Sequence, residues 1–260
     1  MKSRMKSEYL QLRSAFARAA PYYDAVADFQ REAGQHLLNE CSFDAVPARI
    51  LDAGCGTGHG LQLMARRWPD AQTIALDFAE PMLRRITRMF AAATVCADIE
   101  QLPLADGSLD LVWSSLAMQW CDSARVVEEF HRVLCAGGHL AATTLGSGTF
   151  TELRRAFVGV DQFRHTNDFS EEQNLRTALR QAGLSVQTLQ RVEMVRHYPD
   201  LRSLLSSVRD LGANRVVVGN RRPGLMGKAA WRRFAENYER LRATQGLPLT
   251  YDTYFIVARK

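Results

Sequence analysis

An acid followed by three alternating glycines is the part of this chain best suited to hold a ligand. Asp52 begins the pattern D-x-G-x-G-x-G, which ends at Gly58 and follows an apolar run. A second apolar run ends in Asp77. Glycines are needed where the backbone adopts positive φ or where a ligand touches it. An acid that ends the next strand is placed to accept hydrogen bonds from two ribose hydroxyls. These residues predict a βαβ unit that binds a nucleoside.

The glycine spacing indicates which nucleoside ligands are excluded. A dinucleotide site needs G-x-G-x-x-G, which holds a pyrophosphate at a helix N-terminus. His59 stands where the third glycine of that pattern would fall. The pattern instead resembles motif I of the class I S-adenosylmethionine-dependent methyltransferases, whose ligand has no phosphate. The alternative is a strand-to-helix turn whose glycines serve packing alone.

Strands that alternate with helices must position these residues. Apolar runs predict five strands, at 49–53, 71–77, 94–97, 109–114 and 139–145, with the turn into the fifth at Gly137 and Gly138. Two later strands, at 184–195 and 251–258, suit an antiparallel final pair. The pattern predicts an α/β fold with a doubly wound, mostly parallel seven-stranded sheet, Rossmann-like as in class I methyltransferases, with a helical lid insertion.

The chain divides into three predicted parts. Residues 1–47 are expected to form an N-terminal helical cover, and residues 48–199 with 246–260 the nucleoside-binding core. Residues 200–245 are expected to form a helical, arginine-rich lid. Ligands bind beyond the carboxyl ends of parallel strands. Because Asp52, Asp77, Asp98 and Ser114 all stand at such ends, we expect one shared site there.

Composition narrows the class of protein and the partners. No apolar run in the 260 residues approaches the roughly 20 needed to span a membrane. Five scattered cysteines without a C-x-x-C spacing predict neither a metal site nor disulfides, so we expect a cytoplasmic protein. The net charge is +5, and residues 191–242 hold twelve basic and five acidic side chains. That asymmetry predicts an anionic partner, with a solvated basic surface as the alternative.

Several blocks along the chain resemble one narrower family, the malonyl-[acyl carrier protein] O-methyltransferases of biotin synthesis. The blocks are Phe16–Ala20 with Tyr23, Ala27–Arg31, Ala97–Leu104, Ser115–Cys121, Thr143–Thr149 with Glu152-Leu153, His165-x-Asn167-x-Phe169, Leu211–Asn214 and Leu249–Tyr251. The chain departs from the family at Ser115, where relatives often have Asn, and at Pro21-Tyr22 before Tyr23.

The resemblance implies a reaction and a site. S-adenosylmethionine would methylate the free carboxylate of malonyl-acyl carrier protein, or of malonyl-coenzyme A, and leave as S-adenosylhomocysteine. Candidates to hold that carboxylate are Tyr23, His165 and Thr144. The implied cofactor-binding residues are Gln30, Arg31, Asp52, Gly54, Cys55, Gly56, Asp77, Phe78, Met82, Asp98, Ile99, Ser114, Ser115 and Gln119.

Within that set, Asp98 is expected to accept from the adenine amino group while Ile99 covers the ring. Trp113 lies in the same predicted strand as Ser114, and Trp120 follows that strand. A core position is the commoner role for such a Trp.

Charge complementarity suggests which residues meet the carrier. An acidic carrier protein would be met by Arg202, Arg209 and Arg215 of the predicted lid. We expect a monomer that binds no nucleic acid, membrane or metal. Two alternatives stay open: another small-molecule methyltransferase on the same scaffold, and an RNA-binding or regulatory protein with a degenerate ligand site.

Overall fold

A seven-stranded sheet lies at the centre of the described part of the chain. The computed structural model describes residues 2–87, 89, 92–210, 224 and 226–260. The sheet has the order β3-β2-β1-β4-β5-β7-β6, in which β7 runs antiparallel to both of its neighbours. The strands are β1 (Arg49–Ala53), β2 (Gln72–Asp77), β3 (Ala93–Cys96), β4 (Leu109–Ser115), β5 (Leu134–Leu145), β6 (Ser185–Tyr198) and β7 (Leu247–Arg259). This is the predicted mostly parallel α/β sheet.

Helices cover both faces of the sheet. Helices α3 and α4 contribute to a core on one face, and α6 and α8 contribute to a second core on the other. The helices in the described residues are α1 (Lys2–Ala19), α2 (Tyr23–Val26), α3 (Asp28–Glu40), α4 (His59–Arg67), α5 (Glu80–Ile86), α6 (Ser123–Val133), α7 (Thr151–Phe157), α8 (Glu172–Gln181), α9 (Leu201–Asp210) and α10 (Lys228–Glu239). None of them is both long and apolar enough to cross a membrane.

Strand alternation decides which side chains reach each face. Successive side chains of a strand point to opposite faces. Ile50, Trp113 and Ala141 belong to the core beside α3 and α4. Their apolar chain neighbours belong to the core beside α6 and α8, namely Leu51, Val112, Leu140 and Ala142. Beyond the bulge at Leu109, the odd-numbered residues Leu111 and Trp113 of β4 therefore share a face with α3 and α4.

The structure differs from the expected elements at β5 and at one additional helix. Gly137 and Gly138 lie inside β5 rather than before it, because Leu109 pairs with Leu134 while Leu111 pairs with His139, and a bulge takes up the extra residues. Helix α8 was not predicted. Helices α9 and α10 fall within residues 200–245, and the division into cover, core and lid stays a prediction.

Candidate functional site

The glycine turn between β1 and α4 is shaped by Asp77. Gly54, Gly56 and Gly58 have φ of +80°, +52° and +94°, a region that favours glycine. The Asp77 carboxylate accepts from the main-chain N–H of Gly56 at 3.0 Å and from that of Ala79 at 2.8 Å. Asp77 thus holds the turn in place while its carboxylate stays beside the ligand space.

Two cavities meet at this turn and share Tyr23, Gly54, Gly56 and Ser115. The larger, which we call the apolar cavity, encloses about 710 Å³ of space between its atoms, part of it open to solvent. Its other lining residues are Leu12, Phe16, Asp77, Phe78, Met82, Ala97, Asp98, Ile99, Glu100, Leu116, Ala117, Trp120 and Cys121. The polar cavity is lined in addition by Gln30, Gly34, Asp52, Cys55, Thr57, His59, Gly60 and Trp113.

Four buried polar atoms around the polar cavity have no hydrogen-bond partner among the described residues. They are Gln30 Oε1, Asp52 Oδ2, His59 Nε2 and Trp113 Nε1. A buried polar atom without a partner costs free energy, and such atoms are uncommon in folded proteins. Two of the four are acceptors, the indole N–H is a donor, and the imidazole nitrogen can act as either. The cavity is therefore suited to a ligand group that has both a positively charged donor and a negatively charged acceptor.

Burial dominates the electrostatics of the site. Desolvation, assisted by the charge of Asp77, raises the pKa of Asp52 to about 8. Burial also raises the pKa of Asp77 to about 6, against the N–H groups of Ala79 and Gly56, which favour the ionised form. The pKa of Tyr23 is raised above its usual range, again mainly by burial, so its hydroxyl keeps its proton near neutral pH. A cationic group in the polar cavity would favour the ionised form of Asp52.

The structure brings most predicted site residues together. Those that line one or both cavities are Tyr23, Gln30, Asp52, Gly54, Cys55, Gly56, Asp77, Phe78, Met82, Asp98, Ile99 and Ser115. They come from the N-terminal helices, the glycine turn and the carboxyl ends of β1 to β4, as the fold requires of a ligand site in a parallel sheet.

Two predicted residues lie on the wrong face of the sheet. Ser114 is fully buried, and its hydroxyl donates to the Ala53 carbonyl at 2.8 Å. Thr144 is also fully buried and lines neither cavity. Its neighbour Thr143 has the opposite side-chain direction and accepts from the Leu116 N–H at 3.0 Å, beside Ser115. Alternation along β4 and β5 therefore directs Ser115, which was also predicted, toward the cavities, whereas Thr143 is as buried as Thr144, lines neither cavity and lies behind Ser115.

Arg31 and Gln119 support the site without lining it. Arg31 donates to the Asp24 carbonyl at 2.6 Å and pairs with Asp28, so it holds the backbone beside Tyr23. Gln119 donates to the Leu116 carbonyl at 2.7 Å, which supports the loop after β4. Contact of either residue with a cofactor stays a prediction.

His165 lies in a different cavity. Its Nε2 is 2.8 Å from Asp161 Oδ1, and its ring stacks on that of Phe157 with the centroids 3.4 Å apart. It lines an open groove with Arg154 and other residues that neither site cavity includes. The structure therefore does not bring His165 to Tyr23, and a role for it in holding substrate stays a prediction.

The predicted carrier-binding arginines are partly described. Arg202 and Arg209 are exposed on α9, two turns apart on the face opposite the buried Leu204 and Val208. Arg215 lies outside the described residues.

Several lining residues were missed from the sequence. His59 and Gly60 follow the glycine pattern directly, which is a local signal that they share its site. A core position is the commoner role for Trp113, and it is fully buried, yet it lines the polar cavity and its N–H has no partner among the described residues. Leu12 and Phe16 reach the apolar cavity from a distant helix, so their spacing along the chain does not place them at the site. Within the described residues, no group of three or more His, Cys, Asp or Glu side chains is arranged to hold a metal ion.

Comparison with known proteins identifies the relatives of this chain. A family model described as "Methyltransferase domain" matches residues 51–142. The chain is 43% identical over 250 residues to the malonyl-[acyl-carrier protein] O-methyltransferase of Dechloromonas aromatica, covering 96% of this chain and 94% of that one. It is 42% identical to the protein of the same name from Laribacter hongkongensis, covering 94% and 87%.

Solved structures support the fold. A putative methyltransferase from Bacillus halodurans superposes with a TM-score of 0.62 at 16% identity, covering 88% of this chain and 99% of that one. Geranyl diphosphate C-methyltransferase from Streptomyces coelicolor A3(2), in complex with Mg²⁺, geranyl diphosphate and S-adenosyl-L-homocysteine, superposes with a TM-score of 0.53 at 14% identity, covering 87% and 77%. At these identities the likeness concerns the fold alone.

The two cavities fit S-adenosylmethionine, the cofactor of this class of enzyme. Its methionine part has an ammonium and a carboxylate, which match the unpartnered acceptors and donors of the polar cavity. Its adenine needs apolar walls with a polar edge, which Phe78, Ile99 and Asp98 supply in the apolar cavity. Asp77, at the end of β2, lines the apolar cavity, and its expected role as acceptor for the ribose hydroxyls stays a prediction.

Proposed function

Since this chain belongs to the malonyl-[acyl-carrier protein] O-methyltransferase family, we propose that it methylates the free carboxylate of a malonyl thioester on acyl carrier protein. S-adenosylmethionine supplies the methyl group, and the product is a malonyl methyl ester, formed early in biotin synthesis. The observation that carries the proposal is identity of 41–43% to four such relatives over 94–96% of the chain, together with the lined cofactor site.

The chemistry needs no general base. A malonyl carboxylate has a reference pKa of about 4 and is ionised near neutral pH. The chain's contribution is to orient the carboxylate toward the methyl donor and to exclude water from it. This requirement agrees with a site built from apolar walls and a few hydroxyls.

Tyr23 is the residue best placed to hold the substrate carboxylate. Its side chain lies where the two cavities meet, and it lines both of them. Because burial keeps its hydroxyl protonated, Tyr23 can donate a hydrogen bond to an anion. Ser115 lines both cavities as well, and its hydroxyl lies 3.3 Å from that of Thr143. We propose that Tyr23 and Ser115 form the acceptor side of the site, with Thr143 behind Ser115 as its hydrogen-bond partner.

The carrier would approach across α9. Arg202 and Arg209 present positive charge on an exposed helix face, and acyl carrier protein is acidic. Malonyl-coenzyme A remains the alternative carrier of the same malonyl group. We propose that the chain acts as a monomer.

The test is methyl transfer to a defined acyl carrier protein. The purified chain would be incubated with methyl-labelled S-adenosylmethionine and malonyl-acyl carrier protein, and intact mass spectrometry would show the gain of one methyl group. Acetyl-acyl carrier protein, which lacks the free carboxylate, is the matched control. Methylation of both carriers, or of neither, would contradict the proposal.

A further inference from the structure

The apolar cavity is closed on one side by residues 10–27, which we call the strap. Leu12, Phe16 and Tyr23 of the strap line the cavity. The Phe16 ring meets Phe78 and Trp120 edge-on, with centroid distances of 5.7 and 5.6 Å. The apolar side chains around Phe16 form a small cluster separate from both main cores of the sheet. The strap therefore forms one wall of the ligand site, and the apolar cluster that holds it there is small.

Asp24 ties the strap to two other elements. Its Oδ1 accepts from the Thr57 hydroxyl at 2.5 Å, and its Oδ2 lies 2.6 Å from the Arg85 guanidinium. Thr57 belongs to the glycine turn, and Arg85 belongs to α5. One carboxylate therefore joins the strap to the glycine turn that lines both cavities and to the helix that carries Met82, another cavity residue.

The main chain of Asp24 is held as well. Its carbonyl accepts from Arg31 at 2.6 Å, and Asp24 directly follows Tyr23 in the one-turn helix α2. A four-residue helix has little stability of its own, because helix nucleation is unfavourable. The position of the Tyr23 side chain over the two cavities thus depends on the contacts of Asp24.

We propose that Asp24 is a positioning residue that latches the strap over the bound cofactor and limits how fast S-adenosylhomocysteine leaves. A ligand under the strap exchanges only when the strap moves away, and the two Asp24 bonds must break for that movement. The proposal rests on S-adenosylmethionine use and not on the malonyl substrate. Its test therefore needs no acyl carrier protein, and it can fail while the proposed substrate stands.

The expected effects differ between two substitutions. Asp24→Asn keeps an oxygen for the Thr57 hydroxyl and loses the ion pair with Arg85, which is partly exposed on both sides. Release of S-adenosylhomocysteine should become about threefold faster, as for an exposed ion pair. Asp24→Ala removes both bonds, and release should become about tenfold faster.

Glu80→Gln is the matched control. Glu80 lies on α5, pairs with Arg84 at 2.9 Å and has a side chain 55% exposed, against 49% for Asp24. Glu80→Gln removes the same charge from a similar ion pair, and neither residue of that pair belongs to the strap. Its release rate should equal that of the wild type.

The experiment measures ligand release directly. Protein loaded with tritiated S-adenosylhomocysteine is mixed with excess unlabelled ligand, and bound label is followed by rapid filtration. Hydrogen exchange of the strap amides is recorded in parallel, and Asp24 variants should exchange faster in the strap and unchanged in β4. In an Arg85→Met background, Asp24→Asn should add no further acceleration, because its effect acts through Arg85.

Three results would overturn the proposal. One is an unchanged release rate in both Asp24 variants with wild-type circular dichroism. Another is equal acceleration by Glu80→Gln. The third is full additivity of Asp24→Asn with Arg85→Met.

Discussion

Replacing Gly60 by alanine sets helix propensity against packing in the polar cavity. Gly60 is the second residue of α4, and alanine is favoured over glycine inside a helix by about 1 kcal/mol. A Cβ at this position would lie 2.5 Å from Asp52 Oδ2 and 2.8 Å from Trp113 Nε1. Both distances are shorter than real Cβ contacts, so the two side chains must shift.

Neither neighbour has an easy way to shift. Asp52 is 2% exposed and Trp113 is fully buried, so the space they can enter is the polar cavity itself. Overpacking of this kind costs about 1–3 kcal/mol, which exceeds the gain in propensity. We expect Gly60→Ala to lower the free energy of unfolding by about 1 kcal/mol. Because the displaced groups enter the ligand space, S-adenosylmethionine affinity should fall by about tenfold or more, which is about 1.4 kcal/mol.

Gly34→Ala is the matched control for stability. Gly34 lies on α3 and lines the same cavity, but a Cβ there would lie 3.4 Å from side-chain atoms of His59 and Leu63, an ordinary contact. The propensity gain should therefore prevail, raising the free energy of unfolding by up to about 1 kcal/mol. Urea denaturation and titration calorimetry measure both quantities. If Gly60→Ala stabilises the protein as Gly34→Ala does and binds S-adenosylmethionine as the wild type does, Asp52 and Trp113 do not form the wall described here.

Four other predictions address the remaining parts of the site. Asp77→Ala removes the ribose acceptor and should weaken S-adenosylmethionine binding by about 1–3 kcal/mol in calorimetry; unchanged affinity would exclude that role. Tyr23→Phe should slow methyl transfer in single-turnover assays more than it weakens cofactor binding, and equal turnover would remove Tyr23 from the acceptor side. Charge reversal at Arg202 or Arg209 should raise KM for malonyl-acyl carrier protein but not for malonyl-coenzyme A, and only the former should depend steeply on salt; equal salt dependence would leave these arginines as solvated surface. Because burial raises the pKa of Asp52 to about 8, the folded state retains a proton that the unfolded state loses above about pH 4, so unfolding free energy should fall as pH rises toward 8. Urea denaturation of Asp52→Asn should show a smaller fall, and an identical pH dependence would refute the shift.

The cofactor side of the site was predictable because its signals are local. Asp52, the glycine turn and Asp77 belong to one βαβ unit, in which the spacing along the chain sets the geometry. The parallel pairing of β1 with β2 then brings both acids to the same edge of the sheet. The strap was harder to predict in detail, because Leu12 and Phe16 meet the cavity through tertiary packing that no local pattern encodes.

The inclusion of Ser114 beside Ser115, and of Thr144 as a substrate contact, failed for a physical reason. Parallel strands covered on both faces are apolar throughout, so their pattern does not reveal which face a residue meets. Strand β4 is buried at nearly every position, which leaves Ser114 and Ser115 equivalent in the sequence. The same holds for Thr143 and Thr144 in β5, where both residues are fully buried.

The face of the sheet on which Trp113 lies distinguishes Ser115 from Ser114 and Thr143 from Thr144. Trp113 faces the polar cavity, and alternation places the residue two positions later, Ser115, on the same face. In the pairing of β4 with β5, Ser115 stands opposite Thr143, so Thr143 shares that face as well. If Trp113 belongs to the core alone, the sequence of β4 does not show which face of the strand lines the cavity. A polar atom on an otherwise apolar buried side chain is therefore informative here, because the indole N–H needs a partner that the described core does not supply.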